Sequence, residues 1–277
     1  MNDKSYLIVG GDKRQEFLFN ILQSKNFMVD KIFLNNHEDL SKSIDKLRNA
    51  DVIILPIPST KDSSTLYAPK FNKTIPLEMI IDNIPNKATV FIGGKKELFE
   101  NTKAKKIIDL LSDESLTLKN AMATAEATLS IIITNTEKTI YNSKILVMGY
   151  GRIGKILSEY LSALKGKVCV FARREASRTQ AELFGLHSVS CEDLMDELKK
   201  YDIIINTIPE VVFKKEELEK INTKTLIIDL ASKPGGIDYN IAEKLKLKTI
   251  HALGLPGEYS PKSAAEYIES TIQKEIT

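Results

Sequence analysis

Lys144 to Gly154, K-I-L-V-M-G-Y-G-R-I-G, constrains this chain more than any other stretch. Ile145 to Met148 predict a buried strand, and Gly149, Gly151 and Gly154 follow at the spacing G-x-G-x-x-G. The three glycines meet separate steric demands. The first permits the tight turn out of the strand, the second lets backbone approach a pyrophosphate, and the third lets the next helix lie close to the sheet with its N-terminus facing negative charge. Downstream, Ile153, Leu157, Tyr160, Leu161 and Leu164 recur at helical spacing, Gly166 is placed to end that helix, and Val168 to Ala172 predict a second strand. This is a complete β-α-β unit with the signature of a dinucleotide site.

The end of the second strand selects the dinucleotide. An NAD site usually carries Asp or Glu there for the ribose 2′-hydroxyl, whereas this chain reads F-A-R-R, with Arg173 and Arg174. A guanidinium can form paired bonds to a 2′-phosphate, so the expected cofactor is NADP.

At 277 residues the chain can hold two domains, each with its own core. A formal net charge of +2, evenly spread, lacks the concentrated basic face that nucleic acid requires. Cys169 and Cys191 belong to no metal-ligand or disulfide spacing, so no metal site and a reducing compartment are expected. M-N-D-K-S passes straight into a strand, and no apolar run is long enough to span a bilayer. A cytoplasmic protein without membrane contact is expected.

From the N-terminus, Tyr6 to Val9 predict a strand followed by G-G-D-K-R-Q, and Phe17, Leu18, Ile21 and Leu22 mark the inner face of a helix. Gly10 and Gly11 are adjacent with no third glycine, which argues against a second dinucleotide site. Arg14, in a loop on the ligand side of an α/β sheet, is a candidate anion binder or an exposed helix-start residue. Val29 to Leu34, Val52 to Leu55 and Thr89 to Ile92 predict further strands. After the third strand, P-I-P-S-T-K-D-S-S-T cannot be regular, and its Ser59, Thr60, Ser63 and Ser64 are either carboxylate donors or parts of a solvated loop. The alanine-rich stretch Asn120 to Asn135 predicts a helix buried between domains, with Thr124 and Glu126 its conspicuous polar groups.

In the second half, Asp202 to Asn206 predict a strand ending N-T-I-P, which puts Thr207, Ile208 and Pro209 at the mouth of the nucleotide crevice. Strands at Thr225 to Leu230 and Thr249 to Ala252 lead into D-L-A-S-K-P-G-G and G-L-P-G-E-Y-S-P-K-S-A. Of the histidines, His37 lies in a surface stretch, His187 lies beside a turn, and His251 ends a strand near the crevice as a proton-transfer candidate. The expected fold class is α/β, with two Rossmann-like doubly wound parallel-sheet domains and a crevice between them. The expected boundaries are 1–118 for the first domain, joined by the C-terminal helix 261–277; 119–142 for a linker helix; and 143–260 for the NADP-binding domain.

Taken together and in order, G-G-D-x-R-Q, G-x-G-R-x-G, I-N-T-I-P, D-L-A-S-K-P-G-G and G-L-P-G-x-x-x-P-K-S-A resemble the dipicolinate synthase A-subunit family across nearly the whole chain. The resemblance implies oxidation of dihydrodipicolinate to pyridine-2,6-dicarboxylate with NADP+. It also implies a partner, the flavoprotein-like B-subunit of dipicolinate synthase, and a role in sporulation, in the mother-cell cytoplasm. It carries nucleotide binding onto Gly149, Gly151, Arg152, Ile153, Gly154 and Thr207, and ligand-loop roles onto Arg14, Lys233, Pro256, Gly257 and Lys262. Two positions depart from the family pattern: Ala127 stands where T-x-E-G has glycine, and Ser263-Ala264-Ala265 stands where the last motif often ends T-A-G.

A small dicarboxylate substrate calls for cation-bearing loops, and Arg14 with Lys233 or Lys262 are available, with Ser59, Thr60 and Thr124 as neutral groups. Glu126, a carboxylate among Ala and Met, is the first choice of base because burial would raise its pKa, and His251 is the reserve. Two alternatives stay open: a two-domain 2-hydroxy-acid dehydrogenase, and a non-catalytic NADP(H)-binding regulatory subunit. A homo-oligomer is compatible with each.

Overall fold

The computed structural model describes residues 4–36 and 38–276, so His37 and Thr277 lie outside the described residues. The chain divides into two compact units, one of residues 1–120 with 257–277 and the other of residues 121–256.

The first unit is built on β1 (Ser5–Val9), β2 (Met28–Ile32), β3 (Val52–Ile54), β4 (Thr89–Ile92) and β5 (Lys106–Asp109), all parallel, in the order β2-β1-β3-β4-β5. The apolar runs of β1, β3 and β4 take the central positions, where both faces are buried. β5 is not legible as a strand from its sequence. Its K-I-I-D has only two apolar residues, and it forms as an edge strand because β4 supplies a ladder on which Phe91 pairs with Ile108. One face of the sheet packs Leu18 and Leu22 of the helix Lys13–Ser24 with Ala265, Ile268 and Ile272 of the helix Pro261–Ile276. The C-terminal helix is therefore part of this unit's core.

The second unit carries β6 (Lys144–Met148), β7 (Lys167–Phe171), β8 (His187–Val189), β9 (Ile203–Asn206), β10 (Leu226–Asp229) and β11 (Lys248–His251), again all parallel, in the order β11-β10-β9-β6-β7-β8. Alternation along β6 sends Ile145 and Val147 into one core with Leu157 and Leu161, and Leu146 and Met148 into another with Leu198 and Phe213. Strand order reverses between β6 and β9, the switch point at which such sheets bind ligands. Both units are thus Rossmann-like parallel-sheet α/β structures.

Two boundaries differ from expectation. Residues 257–260 group with the first unit rather than with 143–256, because Gly257 packs on Asp12 and Arg14: a Cβ built on it would lie 2.6 Å from Asp12 Oδ2. The helix expected at 119–142 runs Glu114–Asn135. Among the described residues, no helix is long and apolar enough to cross a membrane.

Candidate functional site

The glycine loop stands at the switch point of the second unit. Gly149 has φ +97°, and a Cβ on it would meet Thr207 Oγ1 at 2.5 Å, so a side chain is excluded on conformational and steric grounds alike. A Cβ on Gly154 would lie 2.1 Å from the Gly149 carbonyl oxygen, which shows how closely the helix Arg152–Ala163 approaches the turn. Gly151 behaves differently. Among the described residues, nothing beyond its own chain neighbours lies within 4 Å of its built Cβ, and as N-cap it gives the helix no side-chain hydrogen bond. Open space beside uncapped N–H groups is what a pyrophosphate needs.

This space belongs to a cavity of about 480 Å³ lined by Gly149, Tyr150, Gly151, Ala172, Arg173, Arg174, Ser177, Thr207, Ile208 and Pro209. Thr207 Oγ1 donates to the Met148 carbonyl at 2.8 Å and holds the β9 loop against the end of β6. At the far wall, Arg173 and Arg174 are exposed and no carboxylate occupies the end of β7. Arg178 Nη1 donates to the carbonyls of Ala172 and Arg173 at 2.8 and 3.0 Å, which fixes the backbone carrying the arginine pair. Arg173 itself reaches Glu210 at 3.0 Å. The chain's residues thus fit a dinucleotide with an anionic group on its ribose. Of the other expected nucleotide residues, Arg152 is exposed at the first position of the helix, and Ile153 packs half-buried against the core. Tyr150 and Ser177 carry no signal in the sequence, since they occupy unconstrained positions of G-x-G and of the helix Glu175–Leu183.

Arg14 is buried in the first unit. Its Nε and Nη2 donate to Asp12 Oδ1 and Oδ2 at 2.9 and 2.7 Å, and Nη2 also donates to the Ile57 carbonyl. Nη1 has no partner among the described residues. Burial alone would raise the Asp12 carboxyl, but the hydrogen bonds and charge of Arg14 outweigh it and hold the group below the usual carboxylate range.

Several expected donors take other roles. Ser59 is fully buried, with its hydroxyl donating to the Pro56 carbonyl at 3.2 Å and accepting from Gly93 N at 2.7 Å. Thr60 is also buried, donating to Asp62 at 3.1 Å and accepting from Ser63 N at 3.0 Å. Both hydroxyls shape the loop instead of standing free for a ligand. Ser63 and Ser64 are exposed on the same Asp62-centred turn. Lys233 and Lys262 are exposed. Thr124 is half-buried, its carbonyl accepting from Thr128 Oγ1 at 2.7 Å.

Glu126 requires a correction. It is exposed on the helix Glu114–Asn135 while Ala125 and Ala127 are buried, so the burial that recommended it as a base is absent. His251 is partly buried at the end of β11, with Nε2 2.9 Å from the Ala231 carbonyl and its ring stacked on Tyr239. Among the described residues, no group of three or more His, Cys, Asp or Glu side chains is placed to hold a metal.

The two units match known families separately. Residues 5–112 match the N-terminal domain of the dipicolinate synthase A-subunit, and residues 129–254 match the shikimate/quinate 5-dehydrogenase family. The dipicolinate synthase A-subunit of Bacillus subtilis is 31% identical over 281 residues, covering 96% of this chain and 94% of the relative. This chain belongs to the dipicolinate synthase A-subunit family. Crystal structures of family members agree with the fold. The Bacillus halodurans A-subunit superposes with a TM-score of 0.84 at 29% identity, over 99% of this chain and 98% of that one. The Bacillus subtilis A-subunit gives 0.83 at 28%, over 100% and 96%. In this dipicolinate synthase A-subunit family member, then, the glycine loop and the arginine pair lie in the part of the chain that matches a dehydrogenase family.

Proposed function

We propose that this protein oxidises dihydrodipicolinate to dipicolinate with NADP+, in partnership with the flavoprotein-like B-subunit of dipicolinate synthase, during sporulation. The single observation that carries the reading is the cavity at the β6–β9 switch point, in which open space beside Gly151 adjoins Arg173 and Arg174, within a member of this family. An oxidised nicotinamide bound there supplies a hydride acceptor. The helix Arg152–Ala163 presents its first N–H groups to the pyrophosphate, and Arg173 and Arg174 hold the 2′-phosphate. Thr207, Ile208 and Pro209 form the wall where β9 ends. Arg14, Lys233 and Lys262 are the cations proposed for the substrate carboxylates.

A 2-hydroxy-acid dehydrogenase would need a histidine base paired with a carboxylate. His251 bonds a backbone carbonyl and stacks on Tyr239 instead, which disfavours that alternative. A regulatory subunit that binds NADP(H) without chemistry is separated by turnover. Purified chain given NADP+ and dihydrodipicolinate, with and without the B-subunit, is expected to yield dipicolinate and NADPH in equal amounts. Tight NADP+ binding with no turnover in either case would leave only the regulatory role.

A further inference from the structure

A polar cluster joins the carboxyl ends of β9, β10 and β11. Asp229, fully buried, accepts from Asn206 Nδ2 at 2.8 Å and Ala231 N at 3.1 Å through Oδ1, and from Gly236 N and the Tyr239 hydroxyl, both at 2.7 Å, through Oδ2. Burial and the adjacent carboxylate push the Tyr239 hydroxyl up, so it remains a donor. The Tyr239 ring lies against His251, with centroids 5.2 Å apart and planes at 25°. A Cβ on Gly235 would fall 2.7 Å from Asp229 Oδ2 and 3.4 Å from His251 Cε1, so the loop is fitted to both residues.

The histidine's hydrogen-bond partner fixes its tautomer. A backbone carbonyl can only accept, so the 2.9 Å contact to Ala231 O requires Nε2 to carry hydrogen. In the neutral ring the lone pair then sits on Nδ1, which has no partner among the described residues. Protonation at Nδ1 would leave the Nε2–H bond intact. The ring also lies on the appropriate half of the sheet. Arg173 and Arg174 follow β7, in the β6-β7-β8 half, whereas β9-β10-β11 form the second mononucleotide half, the one expected to take the nicotinamide nucleotide.

We propose that His251 is the proton acceptor of the oxidation, acting through Nδ1, and that Asp229 and Tyr239 are positioning residues that hold its ring. This rests on the dihydrodipicolinate reading above. As the hydride leaves one ring carbon for the oxidised nicotinamide, the neighbouring C–H bond breaks and its electron pair becomes the new ring double bond. Its proton bonds to Nδ1, giving an imidazolium that later releases it to solvent.

Two measurements on the full chain test this. Nitrogen-15 spectra of histidine-labelled protein, with His251 assigned by comparison with His251→Gln, should show the Nε2–H tautomer at rest; an Nδ1–H tautomer overturns the proposal without reference to activity. In turnover with the B-subunit, His251→Gln should lower kcat at least about 100-fold while NADPH affinity, read by fluorescence, stays within about twofold. Tyr239→Leu, which removes both the stack and the hydroxyl bonded to Asp229, should lower kcat with little change in KM for the substrate, whereas Tyr239→Phe, which keeps only the stack, should restore it in part. His251→Gln that keeps its kcat while a primary isotope effect shows chemistry to be limiting overturns the proposal alone. Failure of the wild type to bind NADPH or to turn over overturns the underlying reading, and the proposal with it.

Discussion

Asp12 grips the Arg14 guanidinium with both carboxylate oxygens, at 2.9 and 2.7 Å, and its Oδ1 also accepts from the Arg14 backbone amide at 3.0 Å. One side chain thus caps the helix Lys13–Ser24 and neutralises the cation on its second residue. Asp12→Asn keeps the cap but strands a buried charge, which costs about 3 kcal/mol. Urea unfolding should record that loss. Asp12→Asn and Arg14→Met together should recover part of it, because the double variant leaves no unpaired charge.

Arg173 is held at 3.0 Å by Glu210, but both side chains are about 60% exposed, and such a pair contributes little. A 2′-phosphate should therefore displace Glu210 readily. Glu210→Gln is expected to tighten NADP+ binding about twofold, whereas Arg173→Asp with Arg174→Ser should abolish or invert the preference over NAD+. Equilibrium titration with both nucleotides checks each variant.

The C-terminal helix is a core element of the first unit. Ile268 is 1% exposed and packs among Leu18, Leu22 and Ile272. Ile268→Ala should cost about 3 kcal/mol, and removal of 261–277 should leave an apolar face that binds a hydrophobic dye. A truncated chain as stable and monodisperse as the full one would contradict this packing.

Asp51 makes part of the stability acid-sensitive. Its bonds from Lys87 and from the Ser5 amide lower its carboxyl to about 2, against burial that opposes them. A depressed folded-state value means that this contribution is complete above the ordinary value of 3.8 and lost as pH falls toward 2. Asp51→Asn should lose less stability than wild type over that window in pH-dependent unfolding.

The backbone features of the proposed nucleotide site are legible in the sequence because their demands are local. Gly149, Gly151 and Gly154 each answer a backbone requirement within six residues, and the arginine pair announces itself by the missing acid. Glu126 misleads because an alanine-rich helix looks apolar all round, while its actual orientation buries Ala125 and Ala127 and turns Glu126 outward. Ser59 and Thr60 read as free donors because sequence cannot show that a loop will consume its own hydroxyls, one of them through Gly93, 34 residues away. The Asp229 cluster is invisible for the same reason: the β9–β10 pairing brings Asn206 beside Asp229, and the segment after β10 folds Gly236 and Tyr239 back onto it.

Calorimetric titration of wild type and Gly151→Ala with NADP+ tests the central claim most directly. Among the described residues, the added methyl meets nothing beyond its chain neighbours within 4 Å, and the φ of −84° suits alanine, so the fold and its unfolding midpoint should be unchanged. The methyl instead fills the space assigned to the pyrophosphate. The expected result is clear NADP+ binding by wild type, weakened at least about tenfold in the variant, or about 1.4 kcal/mol. Equal affinity in the two proteins, or no binding by wild type, would contradict the placement of the cofactor on this loop.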